Sequence, residues 1–167
     1  MYKLYIKKNI ESKKLIDQVL KDNNINNYTI IYNEYGKPYL KNINKYFNIS
    51  NTKNISVCVF SDKEIGVDIE YLRYNELVMK RMFNEKEINL IKKSKNKKEM
   101  FTIIWTIKES YSKLIGLGLN YNYKKIDTFN IKNKINIKKY QNYIVTIIEE
   151  WRLWISCIVE IKILLMV

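Results

Sequence analysis

Three acidic residues and a lysine have spacings that could bind a metal ion and a phosphate. Asp68 and Glu70 are two residues apart in an apolar run, and a strand there would point both carboxylates the same way. Glu109 and Lys113 are four residues apart, so a helix would make them neighbours. If the strand and the helix pack together, three carboxylates converge beside lysines. Such oxygen ligands suit Mg²⁺, which often binds through a few carboxylates and the phosphates of a substrate. The pattern therefore predicts a phosphorylated ligand.

The helix that carries Glu109 is the strongest predicted element. Its apolar stripe recurs at helical spacing over residues 97–115, and Gly116 follows as a helix end. Glu109 lies opposite the stripe, where Phe101 and Trp105 indicate that the second face is covered too, which would place Glu109 in a cleft. Two ordinary alternatives remain open: Glu109 with Lys113 as a surface ion pair, and Asp68 with Glu70 as a solvated strand edge. The stripe consists of Met100, Ile104, Ile107, Tyr111 and Leu114.

The remaining patterns predict an α+β protein with helices packed on mostly antiparallel sheets. Residues 41–54, which are polar, are expected to be irregular, and residues 61–64 are expected to form a hairpin turn between two apolar strands. A capping-box spacing starts the helix at 84–93. The predicted strands are 2–7, 28–32, 55–60, 65–70, 126–131, 135–139, 143–148 and 153–161, and the predicted helices are 11–21, 75–82, 84–93 and 97–115.

Composition limits the classes of function. The 167 residues include no His, which excludes Ser-His-Asp catalysis and His-containing zinc sites, and the formal charge of +13 favours an acidic or phosphorylated partner. Cys58 and Cys157 lie in apolar runs and are expected to be buried, reduced thiols. Residues 1–8 lack the apolar core of a signal peptide, and the apolar run 153–167 is too short to span a bilayer. We therefore expect a cytoplasmic protein without a membrane segment.

Five motifs in one order resemble the 4′-phosphopantetheinyl transferases of the Sfp type. The resemblance runs from about residue 35 to residue 119 and extends more loosely to the last predicted strands. Its most specific part is the Gly-Val-Asp-Ile-Glu strand joined to the Trp-x2-Lys-Glu-Ser helix. The motifs are Gly36-Lys37-Pro38-Tyr39, Phe47-Asn48-Ile49-Ser50, Gly66-Val67-Asp68-Ile69-Glu70, Phe83-Asn84-Glu85-Lys86-Glu87, and Trp105 to Lys113 with Gly116 and Gly118-Leu119 after it.

The resemblance implies two similar α+β lobes related by a pseudo-twofold axis, each a small, mostly antiparallel sheet with a packed helix. The expected division is an N-terminal lobe at 1–63, shortened relative to the family, and a C-terminal lobe at 64–167. The implied reaction transfers the 4′-phosphopantetheine arm of coenzyme A to a serine hydroxyl of an acyl or peptidyl carrier protein and releases adenosine 3′,5′-bisphosphate. We expect a monomer, because one chain supplies both halves of the cleft.

The same resemblance implies roles for individual residues. Asp68, Glu70 and Glu109 would be the Mg²⁺ ligands, and Glu87 would lie near the metal as a further catalytic residue. Lys113 would stabilise charge on the diphosphate. The coenzyme A contacts would come from Lys37, Ser50, Asn51, Lys108 and Lys113, with Lys13 on the first helix as a further candidate.

The sequence departs from the family pattern at one nucleotide-binding turn. The family has Ser-His-Ser where this chain has Ser50-Asn51-Thr52, so a side chain that could carry positive charge is replaced by a neutral amide. A degenerate member that binds coenzyme A or a carrier protein without turnover is therefore the main alternative. A basic nucleic-acid-binding domain, suggested by the Tyr and Lys residues at 121–125, would leave the three carboxylates unexplained. The carrier protein and its pathway are not specified by the sequence.

Overall fold

The computed structural model describes residues 1–118 and 122–150, which form eight strands, four α-helices and one 3₁₀ turn. The helices bury apolar stripes and carry the expected caps: Asn84 and Glu87 form a reciprocal capping box, and the longest helix ends at Gly116, whose φ of 71° is left-handed. In chain order the elements are β1 (Tyr2–Lys8), α1 (Ser12–Asp22), β2 (Ile30–Tyr32), β3 (Pro38–Leu40), β4 (Tyr46–Thr52), β5 (Ile55–Ser61), β6 (Ile65–Tyr71), α2 (Glu76–Met82), α3 (Glu85–Lys93), α4 (Lys97–Ile115), the 3₁₀ turn (Tyr123–Lys125), β7 (Lys134–Tyr140) and β8 (Tyr143–Glu149).

The two three-stranded sheets repeat one topology. The first has the order β1-β5-β4 and the second has the order β6-β8-β7, and every pairing is antiparallel. In each sheet the strand that comes last in the chain, β5 or β8, lies in the centre. The other two strands lie on either side of it, and the chain between those two strands contains a helix. The expectation of two similar α+β lobes is thereby confirmed.

The two sheets pack face to face around one apolar core. Alternate residues of β5, β6 and β8 point into it, among them Val57, Val67 and Val145, each of which is fully buried. The outer faces are covered by helices: α1 packs on the first sheet through Leu15 and Val19, and α4 packs on the second. The result is four layers, helix–sheet–sheet–helix, in which the inner strands are buried on both faces.

Polar side chains of β4 join the open edges of the two sheets. Asn48 accepts a hydrogen bond from the backbone amide of Val67 at 3.0 Å, and Ser50 accepts one from the amide of Ile69 at 3.4 Å. Both amides belong to β6, which lies at the edge of its sheet and has no strand paired to its outer side among the described residues. Because a buried amide without a partner is costly, these side chains replace the missing strand.

Three element predictions were wrong. Residues 41–54 contain β4. Its inward residues Asn48 and Ser50 are polar because they accept hydrogen bonds from backbone amides of β6. Residues 61–64 are a crossover between the two sheets rather than a hairpin turn, since β5 already pairs with a strand on each side. Residues 126–131 are turns and loop, not a strand. The predicted strand 153–161 lies outside the described residues. None of the helices within residues 1–118 and 122–150 is long and apolar enough to cross a membrane.

Candidate active site

The candidate site lies where α4 crosses the polar face of β6. Gly66, Asp68 and Glu70 share this face, and Gly66 allows the helix to come close: a Cβ added there would lie 2.0 Å from the carbonyl oxygen of Ser110. Hydroxyl groups tie α4 to the neighbouring strand, since Ser110 Oγ donates to the carbonyl of Thr146 at 2.8 Å. The helix is buried on two sides, which confirms the expected cover over its second face.

Asp68 is the centre of the site and is only 4% exposed. Its Oδ1 accepts hydrogen bonds from Ser50 Oγ at 2.8 Å and from Lys113 Nζ at 2.7 Å, and the lysine also donates to Ser50 Oγ at 2.8 Å. Its Oδ2 is buried without a hydrogen-bond partner in the described part of the chain. Three elements, β4, β6 and α4, thus converge on one carboxylate that still has an unused acceptor atom.

Glu109 lies one helical turn before Lys113 and is partly buried. Burial raises the pKa of Glu109 to about 7; the negative charge of Asp68 acts in the same direction, and Lys113 opposes it. The hydroxyl of Tyr123 lies close enough to lower the Glu109 pKa, although it makes no hydrogen bond of ordinary geometry with residues 1–118 or 122–150. A carboxyl that titrates near neutral pH can exchange protons in that range.

Glu70 completes the acidic group at the end of β6. Burial raises its pKa, the neighbouring Arg73 lowers it, and Asp68 raises it further. Arg73 forms an ion pair with Glu70 at 3.4 Å and lies over the ring of Trp105, with 5.4 Å from the guanidinium carbon to the ring centre. The arginine therefore offsets part of the negative charge that Asp68, Glu70 and Glu109 bring together.

The donor set fits a hard cation in its chemistry but is not assembled around one. Within residues 1–118 and 122–150, no group of three or more Asp, Glu or Cys side chains is arranged to hold a metal ion. The Oδ2 of Asp68 nevertheless has an unused acceptor position, and the negative charge of Asp68 adds to the effect of burial in raising the pKa of Glu70 and Glu109. A divalent cation bound by carboxylate oxygens would offset that charge.

Lys108 and Glu87 lie apart from this cluster as a buried ion pair. Both side chains are fully buried, and their charged atoms are 2.8 Å apart. Lys108 Nζ also donates to the carbonyl oxygens of Tyr123 and Ile126. Burial lowers the pKa of Lys108, and the Glu87 carboxylate opposes that shift. Both charged groups are thus engaged by protein partners, and the phosphate contact of Lys108 and the place of Glu87 near a metal stay predictions.

Lys37 is also held by protein groups, at the junction between the lobes. Its Nζ donates to the carbonyl of Leu114 at 2.6 Å and forms an ion pair with Glu64, and the side chain is 8% exposed. Asn33 acts beside it by donating to the carbonyl of Gly116 at 2.9 Å. The turn between β2 and β3 therefore caps the last carbonyls of α4, immediately after Lys113.

The other expected coenzyme A contacts are solvent-accessible. Asn51 is exposed on β4 next to Ser50, and Lys13 is exposed on α1. The structure adds two residues to the site that the motifs did not indicate, Tyr123 and Arg73. Tyr123 lies in a segment whose sequence has neither helix nor strand periodicity. The sequence marks it only as an aromatic residue next to lysines. Arg73 lies three residues after Glu70, just beyond the recognised strand motif.

Comparison with known proteins places the chain in a family. The family model described as the 4′-phosphopantetheinyl transferase superfamily matches residues 64–156, more than half of the sequence. The chain belongs to this superfamily. The matched region begins just before β6 and contains Asp68, Glu70, Glu109 and Lys113. The predicted resemblance is therefore confirmed.

Three similar proteins each match more than half of the chain. It is 39% identical over 112 residues to the 4′-phosphopantetheinyl transferase gsp of Aneurinibacillus migulanus, covering 64% of this chain and 46% of the relative. The 4′-phosphopantetheinyl transferase Sfp of Bacillus subtilis (strain 168) is 34% identical over 103 residues, 59% of this chain and 45% of the relative. The L-aminoadipate-semialdehyde dehydrogenase-phosphopantetheinyl transferase of Saccharomyces cerevisiae is 35% identical over 107 residues, 56% of this chain and 39% of the relative. The matches thus span less than half of each of these relatives.

Proposed function

We propose that this chain transfers the 4′-phosphopantetheine arm of coenzyme A to a serine hydroxyl of an acyl or peptidyl carrier protein and releases adenosine 3′,5′-bisphosphate. The proposal rests mainly on one observation: Asp68, Lys113 and Glu109 lie together between β6 and α4. This site lies inside the region that matches the transferase superfamily. We also propose that the lobes divide as 1–63 and 64–167 and that the protein acts as a cytoplasmic monomer.

The reaction requires one bond to form and one to break at phosphorus. The carrier serine oxygen attacks the phosphorus atom that bears the pantetheine arm, and the bond from that phosphorus to the bridging oxygen breaks. The bridging oxygen leaves with the electron pair on adenosine 3′,5′-bisphosphate. The serine proton goes to a base, and Glu109 is our candidate because its carboxyl is partly buried in the same cluster as Asp68 and Lys113.

The other residues of the cluster position and neutralise charge. Lys113, held by Asp68 and Ser50, would move its ammonium group onto the diphosphate and stabilise charge on the leaving oxygen. Asp68, Glu70 and Glu109 would hold Mg²⁺, which supplies further charge neutralisation to the diphosphate when bound. Ser50 and the exposed Asn51 would contact the nucleotide end of coenzyme A, with Lys13 as an outer contact.

The carrier protein would be acidic. The chain has 30 Lys and Arg against 17 Asp and Glu, and such an excess speeds the approach of a partner with opposite charge. This property supports an acidic protein substrate and does not choose between fatty acid, polyketide and peptide synthesis.

Intact-protein mass spectrometry tests the proposal directly. An apo carrier protein is incubated with this protein, coenzyme A and Mg²⁺, and a parallel sample contains EDTA. We expect the carrier to gain the mass of one phosphopantetheine group and EDTA to prevent the gain. A gain that survives EDTA would disprove the metal requirement. No gain with any of several carriers, while calorimetry still detects coenzyme A binding, would favour a binding protein without turnover.

A further inference from the structure

The buried pair of Glu87 and Lys108 uses its hydrogen-bonding capacity entirely within the protein. Lys108 Nζ has three protons and three partners: the Glu87 carboxylate and the carbonyl oxygens of Tyr123 and Ile126. Glu87 accepts from the amide of Asn84 at 2.9 Å through Oε2 and from the amide of Thr128 at 3.1 Å through Oε1. Both side chains are 0% exposed, so neither presents a polar atom to a ligand.

Three of these contacts fasten the same short segment, residues 123–128. This segment lies between α4 and β7 and consists of the 3₁₀ turn and loop, with few regular backbone hydrogen bonds of its own. Lys108 holds its carbonyls at 123 and 126, and Glu87 holds its amide at 128. The pair therefore ties a loop to α3 and α4 together.

The fastened segment includes Tyr123, which is 2% exposed and faces the candidate site. Its ring stacks on Trp105 with 5.8 Å between ring centres and an interplanar angle of 19°. Its hydroxyl lies beside Glu109. Lys108 directly precedes Glu109 in α4 and donates a hydrogen bond to the backbone carbonyl of Tyr123. The same turn of the helix therefore carries Glu109 and fixes the position of Tyr123 relative to it.

We propose that Glu87 and Lys108 are positioning residues that hold the 123–128 segment, and with it Tyr123, against Glu109, rather than ligands of a metal or a phosphate. Taking both charges out of water is costly, and an apolar pair of similar volume would often be as stable. A fully satisfied buried network instead fixes one arrangement of the groups around it. The catalytic consequence rests on the proposed transferase function, whereas the fastening of the loop does not.

The test compares Lys108→Met with Lys113→Met. A positioning residue should affect turnover, whereas a residue that contacts coenzyme A should affect its binding. We expect Lys108→Met to lower kcat by about a hundredfold, typical of a misplaced group, and to leave the Kd of coenzyme A within about twofold of the original protein. Lys113→Met is expected to weaken coenzyme A binding by about tenfold or more, because its ammonium would contact the diphosphate. A loss of binding in Lys108→Met as large as in Lys113→Met would overturn the proposal.

Amide hydrogen exchange tests the fastening without any assay of transfer. In Lys108→Met the amide of Thr128 should exchange about tenfold faster or more, while amides of the β1–β5 pairing keep their rates. Unchanged exchange at Thr128 would overturn the proposal. If the original protein transfers nothing, the proposed function fails and takes the kcat prediction with it, and the exchange result alone then decides whether the pair fastens the loop.

Two further variants keep the result interpretable. If Lys108→Met fails to fold because Glu87 is left as an unpaired buried charge, the double variant Glu87→Gln with Lys108→Met removes that charge. It should fold, retain the loss in kcat, and show the faster exchange at Thr128. Lys80→Met is the matched control, since it breaks the exposed ion pair of Lys80 with Glu76 and should change neither kcat nor exchange at Thr128.

Discussion

Glu109 is our candidate proton acceptor: it is partly buried beside Asp68 and Lys113, and burial raises its pKa to about 7 in the metal-free protein. Replacing it by Gln keeps the size of the side chain and removes the charge. We expect Glu109→Gln to fold normally and to lose transfer by about a hundredfold or more. The same mass-spectrometric assay, together with circular dichroism, measures both. Glu85→Gln, an exposed glutamate on α3, is the control and should retain full transfer. Near-normal turnover in Glu109→Gln would remove the proposed role.

The same carboxyl should make the stability of the metal-free protein depend on pH. The folded-state pKa of Glu109, about 7, lies above the ordinary value of 4.5, so the folded protein binds this proton more tightly than the unfolded chain does. The resulting stabilisation is fully present below pH 4.5 and is lost as the pH rises through 7. Relative to Glu109→Gln, the original protein should lose on the order of 2 kcal/mol of unfolding free energy across this window.

Urea unfolding of both proteins in EDTA, from pH 4.5 to pH 8, measures this difference. Carboxyl groups that do not interact with Glu109 titrate alike in the two proteins, so their contributions cancel, and the remaining difference belongs to Glu109 and to its interactions with Asp68 and Glu70. Parallel stability curves across the window would contradict the assigned environment of Glu109.

At the scale of elements, the approach of α4 to β6 depends on the absence of a side chain at Gly66. A Cβ there would lie 2.0 Å from Ser110 O and 2.7 Å from the amide nitrogen of Leu114, both backbone atoms that cannot move aside alone. We expect Gly66→Ala to destabilise the fold by about 3 kcal/mol or more and to separate Asp68 from Lys113. Gly36→Ala provides the contrast: its φ of 83° is strained for Ala but its surroundings are open, so about 1 kcal/mol is expected. Equal losses in denaturant unfolding would show that the close contact at Gly66 is unimportant.

The helices and strands that could be predicted are those with local signals, such as apolar periodicity or a capping box, in their own sequence. The bounds of α4 follow from its apolar periodicity and from Gly116, and the capping box of α3 is visible in four residues. In contrast, β4 looked irregular because Asn48 and Ser50 are polar, and their reason lies in the edge amides of β6. The sequence of one strand does not indicate which strand will lie next to it, so the role of these polar residues could not be predicted.

The candidate site divides in the same way. Asp68, Glu109 and Lys113 could be predicted because strand and helix periods set their directions, and the motif order added the family. The contacts of Lys108 and Lys37 could not be predicted, because both depend on carbonyl oxygens that become available only when loops and helix ends meet. Lysines that looked alike in sequence therefore differ: Lys113 faces a partly exposed cluster, whereas Lys108 is sealed inside.

At the scale of the whole molecule, Lys37 joins the two lobes. Removing its ammonium would leave the Leu114 carbonyl without this donor and Glu64 without its ion pair. We expect Lys37→Met to lower the free energy of unfolding by about 2–3 kcal/mol. Lys45→Met, which breaks the more exposed pair with Asp62, should cost less than about 1 kcal/mol. Denaturant unfolding compares them, and equal small losses would show that the junction does not depend on Lys37.

The net charge of the molecule leads to a prediction about carrier recognition that does not involve the reacting groups. A formal charge of +13 acts over distances comparable to the Debye length, which shortens from about 30 Å at 0.01 M salt to about 8 Å at 0.15 M. If the proposed acidic carrier is drawn in by this charge, kcat/KM for the carrier should fall by about tenfold or more between those salt concentrations, while kcat stays nearly constant. A carrier variant in which surface acids distant from the modified serine are neutralised serves as the control and should lose most of this salt dependence. An equally steep salt dependence in that variant would place the effect at coenzyme A binding, where the phosphates would be the groups that salt screens.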